Sequence, residues 1–347
     1  MKYILRKLLT LIITLFIVSL LAFLAFQVIP GSPATSMLGT NATPEKVAQK
    51  TRRRVNSAIE KLQYSPEDNR STLSAALTHM ILIIIPDFSN MFFSDILSGM
   101  NETALRNGYS LLVAASNSMI ERERELVKLM YKRQADGIIF LSPLLSDEEL
   151  KRISLSFPLV QCCEYSETSA LTHVSIDNYD ACRTAMEYLI SLGHRKIAML
   201  SSTNRFISTK QRESAYKATL SEHGIDLIPG LQRRGTYSFF SGYENMRQLL
   251  KHPQRPTAVL AVADTVAAGA MRAISEAGLR VPEDISVIGF DNVDLCSMLT
   301  PTLTTMSQPR KRLGMTAVEL IMEKISGDTE QKSIYLPHEL IVRQSTR

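Results

Sequence analysis

From His79 onward, short apolar segments alternate regularly with amphipathic segments. The run Met80 to Ile85 is continuously apolar, and a helical pattern with Ile96 and Met100 on one side follows it. Strands buried on both faces are continuously apolar, and strands that alternate with helices form parallel sheets. The same alternation begins again at His173. The sequence therefore predicts an α/β protein with two doubly wound parallel sheets and a ligand crevice between them.

The stretch from Val281 to Gln308 predicts where a ligand would meet the protein. Ile285 to Phe290 is short, apolar and rich in β-branched residues, as in a buried parallel strand, and Asp291 follows it. In open α/β sheets, ligands bind beyond the carboxyl ends of the strands. We therefore expect the Asp291 carboxylate to face the crevice, where it can accept two hydrogen bonds from the hydroxyl groups of a sugar.

Composition and motifs argue against an enzyme. The chain has 347 residues, of which 45% are hydrophobic and 21% charged, and its formal net charge of +5 is only mildly basic. Its four cysteines have no metal-ligand spacing and its six histidines are scattered. The sequence has no glycine-rich phosphate loop and no Gly-x-Ser-x-Gly motif. We therefore expect a non-enzymatic protein that uses no metal or other cofactor.

An apolar segment near the N-terminus predicts a membrane-spanning helix. Residues 8–29 carry no formal charge, and about 20 apolar residues are enough to cross a bilayer as a helix. Lys2, Arg6 and Lys7 precede this segment, and no basic residue follows it until Lys46. This distribution predicts a cytoplasmic N-terminus and an exported remainder. A cleaved signal peptide is the alternative, although its apolar core is usually shorter.

Two stretches carry a specific family resemblance. VPEDISVIGFDN, which begins at residue 281, and PTLTTMSQP, which begins at residue 301, resemble the C-terminal signature of the LacI/GalR family of bacterial transcription regulators. The resemblance covers about residues 47–347, and the nucleoside- and purine-responsive repressors look most similar. It implies a type I periplasmic-binding-protein-like core. The implied first subdomain is 79–176 with about 307–333, and the second is 177–306 with about 334–347.

The resemblance also implies which residues contact an effector, which would be a sugar or a nucleoside. Phe92 and Phe93 would stack on a ring of the ligand, with packing in the core as the alternative. Arg212 would donate hydrogen bonds from its guanidinium fork, with a surface ion pair as the alternative, and Tyr237 would cover the ligand. The complete predicted ligand-binding set is Asp87, Phe92, Phe93, Glu164, Arg212, Tyr237 and Asp291.

The chain departs from the family pattern at two places near the predicted site. Many relatives have an Asn-Asp pair where this chain has Ala263 and Asp264, so one amide is missing from the expected pocket. Relatives often have an acid or an amide at the end of the fourth strand, where this chain has Cys163 followed by Glu164. Either the ligand differs from theirs or the site has changed.

The first 46 residues resemble a different family. The segment contains the word Pro-Gly-Ser-Pro-Ala at residues 30–34, and it resembles the N-terminus of dipeptide and oligopeptide ABC-transporter permeases. One helix cannot form a transport pathway, so this resemblance implies an anchor in the bacterial inner membrane and no permease function. It also implies a junction between two unrelated sequences near residue 47.

Residues 47–78 resemble the end of the DNA-binding headpiece and the hinge of the regulator family. Arg52, Arg53 and Arg54 lie on a predicted helix that resembles the last headpiece helix. Leu73 has the position at which relatives insert a leucine between base steps in the minor groove. The two preceding helices, one of which reads the major groove, are missing from the pattern. Contacts with DNA are one interpretation, and a solvated helix face followed by a linker is the alternative.

Two classes of function remain open from the sequence. The first is a dimeric, ligand-responsive transcription regulator with a truncated headpiece, which the resemblance places in the cytoplasm. Its dimer interface would lie around residues 95–106 and 119–132. The second is a membrane-anchored solute-binding receptor or a non-functional fusion. Because both classes use the same fold, the fold does not separate them.

Overall fold

The structure, a computed structural model, describes residues 77–168 and 170–347, and residues 77–347 form one compact unit. The predicted membrane helix at 8–29 lies outside the described residues. The predicted DNA-contacting residues Arg52, Arg53, Arg54 and Leu73 lie outside them as well. Within the described residues, no helix has the length and apolar character needed to span a bilayer.

The first subdomain is a six-stranded parallel sheet with the strand order β11-β5-β4-β3-β1-β2. Its strands are β1 (Met80–Ile85), β2 (Ser110–Ala115), β3 (Gly137–Phe140), β4 (Leu159–Cys162), β5 (His173–Ile176) and β11 (Ser333–Leu336). Its helices are α1 (Phe92–Arg106), α2 (Ile120–Tyr131), α3 (Asp147–Ser154) and α9 (Arg310–Ile325).

The second subdomain is also a six-stranded sheet, with the order β12-β10-β9-β8-β6-β7, in which only β12 runs antiparallel to its neighbour. Its strands are β6 (Ile197–Ser202), β7 (Gln232–Gly235), β8 (Ala258–Ala261), β9 (Ser286–Asp291), β10 (Thr304–Ser307) and β12 (Glu339–Ile341). Its helices are α4 (Asn178–Ser191), α5 (Ile207–Glu222), α6 (Phe239–Leu250), α7 (Asp264–Glu276) and α8 (Leu295–Met298).

Each central strand is buried on both faces, which explains its continuous apolar sequence. In β1, Ile81, Ile83 and Ile85 pack in one cluster with residues of α1 and α9. Leu82 and Ile84 pack in a second cluster with residues of α2 and α3. Because successive side chains of a strand point to opposite faces, an apolar residue is needed at every position. The α/β fold with two parallel sheets that the sequence predicts is confirmed.

Helix α9 returns to the first subdomain and packs closely against α1. A Cβ atom at Gly314 of α9 would overlap the carbonyl oxygen of Ile96, and one at Gly99 of α1 would overlap the carbonyl oxygen of Lys311. Glycine at these positions therefore allows the two backbones to approach more closely than any side chain would permit.

The chain crosses between the subdomains three times, from β5 to α4, from β10 to α9 and from β11 to β12. Strand β11 pairs with β5, so the first subdomain extends through Leu336 rather than ending at about residue 333. The strand is short, and its side chains alternate between exposed and partly buried. Its sequence therefore does not reveal which of the two sheets it joins, because that choice depends on pairing with a distant strand.

Candidate ligand-binding site

A cavity of about 430 Å³ lies between the two subdomains, at the carboxyl ends of their strands. All seven residues of the predicted ligand-binding set line this cavity. Asp87 and Glu164 follow β1 and β4 of the first subdomain, and Asp291 ends β9 of the second. The parallel sheets bring these strand ends together because every such strand points its carboxyl end toward the crevice. The contact of these side chains with a ligand stays a prediction.

Arg212, on α5, is the cation of the cavity and is held rigidly. Its Nε and Nη2 atoms donate to Asn178 Oδ1 at 3.0 and 2.7 Å, and its Nη1 atom donates to the Val262 carbonyl at 2.8 Å. Its guanidinium carbon lies 3.5 Å from the centre of the Phe290 ring. Only 4% of the residue is exposed, so it is not part of a surface ion pair. Because a guanidinium has five N–H groups, two remain for a ligand.

Asp291 lies at the end of β9, where the backbone leaves the strand in an unusual conformation. Asp291 has φ 110° and Asn292 has φ 56°, a region that non-glycine residues rarely adopt. The Asp291 Oδ1 atom accepts a hydrogen bond of 2.8 Å from Gln308 Nε2. Burial raises the pKa of Asp291, and the nearby Asp264 carboxyl raises it further, while Arg212 and Gln308 act in the opposite direction. The strained turn thus holds a carboxyl group in a desolvated place that faces the cavity.

Aromatic side chains form the apolar part of the cavity wall. Phe92 and Phe93 occupy the first turn of α1, with ring centres 5.4 Å apart in an edge-to-face arrangement. Both rings also pack in the core of the first subdomain, so they line the cavity and contribute to the core at the same time. Tyr237 lies on the opposite side, within hydrogen-bonding distance of Thr209 Oγ1 at 3.3 Å. Flat apolar walls of this kind suit the faces of a sugar or a nucleobase.

Asp87 has a structural task in addition to lining the cavity. Its Oδ1 atom accepts hydrogen bonds from the Ser89 backbone N–H at 2.8 Å, from Ser89 Oγ at 2.6 Å and from the Asn90 backbone N–H at 3.0 Å. These bonds fix the turn that leads into α1. One carboxylate oxygen therefore shapes the loop.

Glu164 connects the two subdomains across the crevice. Its carboxylate accepts hydrogen bonds from the backbone N–H of Ser208, at 3.2 Å, and from the Ser208 hydroxyl group. Ser208 lies in the first turn of α5, where free N–H groups and the helix dipole favour a negative charge. Burial raises the pKa of Glu164, and the bonds from Ser208 oppose that shift.

Asp264 does not contribute to the cavity wall. It is 1% exposed, and its carboxylate accepts hydrogen bonds from the Val293 backbone N–H at 2.9 Å and from Thr305 Oγ1 at 2.6 Å. Neither Asp264 nor Ala263, which stand where many relatives have an Asn-Asp pair, lines the cavity. Through these two hydrogen bonds, the Asp264 carboxylate links Val293, in the segment after β9, to Thr305 of β10.

The predicted set omitted other residues that line the cavity, among them Asn178, Phe206 and Gln308. Asn178 lies two residues beyond β5 and Gln308 directly follows β10, at two of the three crossings between subdomains. A polar residue just beyond the end of a buried strand is the signal that would have found both, as it found Asp291. Phe206 precedes a helix in a polar loop and has no comparable signal.

The fold and this site together define a periplasmic-binding-protein-like core, in which two α/β subdomains enclose a polar cavity. Residues 165–346 match the family described as periplasmic binding protein-like domain. The HTH-type transcriptional repressor CytR of Escherichia coli K12 is 35% identical over 309 residues, which cover 88% of this chain and 90% of that protein. The chain belongs to the LacI family of transcriptional regulators.

Solved structures of the family have the same core. A LacI family transcriptional regulator from Enterococcus faecium with bound ribose is 28% identical, with a TM-score of 0.69 over 77% of this chain and 98% of that chain. The lac repressor dimer bound to operator and the anti-inducer ONPF is 27% identical, with a TM-score of 0.72 over 82% of this chain and 99% of that chain. Residues 1–64, by contrast, match the N-terminal family of binding-protein-dependent transport system membrane components.

Proposed function

We propose that this chain is a ligand-responsive transcription regulator whose effector is an uncharged, hydroxyl-rich molecule, a sugar or a nucleoside. The observation that carries this proposal is the cavity between the subdomains, in which Arg212, Asp291 and Glu164 meet aromatic walls. Hydroxyl groups can both accept from the guanidinium and donate to the carboxyls. No cofactor and no catalytic step are part of the proposal.

The charges of the cavity support an uncharged ligand over a phosphorylated one. Its ionisable lining residues are Asp87, Glu164, Asp291 and Arg212, so one guanidinium faces three carboxyl groups. A phosphate would bring about two negative charges into this setting, where a low dielectric strengthens repulsion. We therefore expect free sugars or nucleosides to bind more tightly than their phosphates.

Closure of the crevice is the proposed link between ligand and DNA. The effector would contact both subdomains and favour the closed arrangement by its differential affinity for it. The ligand would then change the affinity for DNA by the same factor by which DNA changes the affinity for the ligand. The DNA contacts would come from Arg52, Arg53, Arg54 and Leu73 in a truncated headpiece, so we propose weak phosphate binding rather than reading of base sequence.

A homodimer is part of this proposal because the lac repressor is a dimer on its operator. The predicted interface, residues 95–106 and 119–132, contains Leu105 and Tyr131, which are 58% and 60% exposed, and Met119, which is 55% exposed. These side chains would contribute apolar area to the proposed interface, which requires that they form one contiguous patch. In this arrangement the protein acts in the cytoplasm.

The effector proposal is tested by a thermal-shift panel on the full chain with sugars, nucleosides and the phosphates of both. A ligand present at about 100 times its Kd stabilises the folded state by about 2.7 kcal/mol. Asp291→Asn should weaken binding of any hit by roughly tenfold or more because it replaces a buried acceptor. Asp294→Asn, at an exposed position nearby, is the matched control. A panel in which only phosphorylated compounds bind would refute the proposal.

A second candidate function, a membrane-anchored receptor for the same class of ligand, is favoured by the family match of residues 1–64. It would use the apolar segment 8–29 as an anchor and place the core outside the inner membrane. Reporters active only in the cytoplasm or only after export, fused behind Arg347 of the full chain, separate the two candidates. Export would end the transcription proposal, and a cytoplasmic signal would end the receptor proposal.

A further inference from the structure

Arg310, the first residue of α9, lies where the chain crosses from the second subdomain back to the first. It is 9% exposed, and it follows Gln308, whose side chain donates to the Asp291 carboxylate at 2.8 Å. The backbone N–H of Arg310 donates to the Gln308 carbonyl at 2.7 Å, so the two residues form one tight crossing segment. A cation buried to this extent needs partners, because an unpaired charge is strongly unfavourable away from water.

One nitrogen atom of Arg310 contacts both subdomains. Its Nη2 atom donates to the backbone carbonyl of Asn292, in the second subdomain, at 2.8 Å. The same atom lies 2.8 Å from Asp95 Oδ2, in the first turn of α1 in the first subdomain. Because the Asp95 side chain is 49% exposed, this ion pair by itself contributes little to stability. What the guanidinium adds is a connection between elements of different subdomains.

The turn that Arg310 contacts is the strained one at the end of β9. Asp291 and Asn292 both have positive φ, a conformation that persists only where surrounding contacts enforce it. Two contacts come from the second subdomain itself: the Asn292 N–H donates to Thr305 Oγ1 at 3.3 Å, and Arg343 Nη2 donates to Asn292 Oδ1 at 2.9 Å. Arg310 adds a contact from the first subdomain. The backbone beside the Asp291 carboxyl is thus restrained by a side chain that does not line the cavity.

We propose that Arg310 is a positioning residue for the effector site, which holds the turn at Asp291 in place by tying it to α1 across the boundary between the subdomains. It acts through Asp291 and does not contact the ligand. This inference rests on the proposed function, in which the cavity holds an effector. Burial raises the pKa of Asp291, and the charge of Arg310 is among those that lower it, so the guanidinium also favours the ionised form that accepts hydrogen bonds.

The connection through Arg310 gives the cavity a route to α1. This helix carries Phe92 and Phe93, which line the cavity from the first subdomain, and its residues 95–106 belong to the predicted dimer interface. An effector bound to Asp291 would therefore bias the first turn of α1. A partner chain packed on α1 would bias the effector site by the same free energy.

A second ion pair between α1 and α9 provides a matched control. Lys311 Nζ of α9 lies 2.8 Å from Glu102 Oε2 of α1, the same distance as in the Arg310 pair, and the Glu102 side chain is 47% exposed. Within the described part of the chain, Lys311 has no hydrogen bond to the second subdomain. Asp95 and Glu102 both lie in the predicted dimer interface, so an effect that arises from dimerisation would be common to Asp95→Ala and Glu102→Ala.

The test is amide hydrogen exchange of the full chain without ligand, followed by mass spectrometry in peptides that contain Asn292 and Val293. Arg310→Met should speed exchange there by roughly tenfold or more, because the turn loses a bond from a charged donor. Asp95→Ala should speed it by about threefold, although Asp95 bonds to Arg310 and not to the turn itself. Glu102→Ala should leave exchange in these peptides unchanged, while its Tm should match that of Asp95→Ala because each variant loses one half-exposed ion pair.

Arg310→Lys should stay close to wild type, because one nitrogen makes both contacts and a lysine ammonium has three donors. The proposal is overturned if Arg310→Met exchanges at the wild-type rate in these peptides, or as slowly as Arg310→Lys. Equal rates in Asp95→Ala and Glu102→Ala also overturn it, and this comparison decides the matter if Arg310→Met does not fold. Because no ligand is used, a thermal-shift panel without hits would end the effector proposal and leave the exchange result as it stands.

Discussion

A buried glutamate on α2 should make the stability of this protein depend on pH. Glu123 is 0% exposed, and its Oε2 atom accepts hydrogen bonds from the backbone N–H groups of Leu144 at 2.8 Å and Leu145 at 3.2 Å. Its Oε1 atom has no partner among the described residues. Burial, opposed by the two backbone bonds, raises the pKa of Glu123 from 4.5 to about 7.

The sign and size of the effect follow from proton linkage. Between pH 4.5 and about 7 the folded chain keeps the Glu123 proton, whereas the unfolded chain has lost it. The free energy of unfolding should therefore be highest below pH 4.5 and should fall as the pH rises through about 7. A pKa difference of this size corresponds to about 3 kcal/mol, because one pKa unit is about 1.4 kcal/mol.

Glu123→Gln removes the titration and keeps an oxygen that can accept the two backbone bonds. Urea unfolding of the full chain at pH 5 and pH 8 should show that the variant gains up to about 3 kcal/mol over wild type at the higher pH, and little at the lower one. Glu125→Gln, on the same helix with its side chain 58% exposed, is the control and should follow wild type. If the stability of Glu123→Gln changes with pH exactly as that of the control does, the reasoning is refuted.

Three further changes test the packing and the site. Arg212→Lys should lower the free energy of unfolding, measured by urea titration, by about 2 kcal/mol, because an ammonium group cannot make the forked hydrogen bonds of the guanidinium. An unchanged free energy of unfolding would contradict a structural role for these bonds. Gly314→Ala should destabilise the chain by about 1–3 kcal/mol because the added methyl group forces α9 away from α1. Arg312→Ala, at an exposed position of the same helix, is the control and should not destabilise it. Equal Tm values for these two variants would contradict the close packing of α9 on α1. Glu164→Ala should speed hydrogen exchange of the Ser208 backbone amide by roughly tenfold, because that N–H donates to the Glu164 carboxylate. Glu164→Gln keeps an acceptor and should leave the exchange rate unchanged. An exchange rate in Glu164→Ala equal to that of wild type would exclude the bond across the crevice.

Local sequence patterns predicted those parts of the protein that depend on neighbouring residues. A strand buried on both faces must be apolar at every position, so Met80–Ile85 could be identified without any partner. Because parallel strands end at one edge, the polar residue Asp291 could be placed at the crevice. The resemblance to the regulator family supplied Asp87, and it supplied Arg212 and Tyr237, which no local pattern would have selected.

Which distant groups meet depends on how the elements pack in three dimensions. Asn178 fixes Arg212, and Glu164 reaches Ser208 across the crevice, although neither sequence position indicates its partner. The same holds for Gln161, whose place in a strand reads like any other, yet whose amide is buried with no hydrogen-bond partner among the described residues. The physical reason is that strand and helix periods are properties of neighbouring residues. The partner of a buried polar group, in contrast, is determined by how separate elements pack.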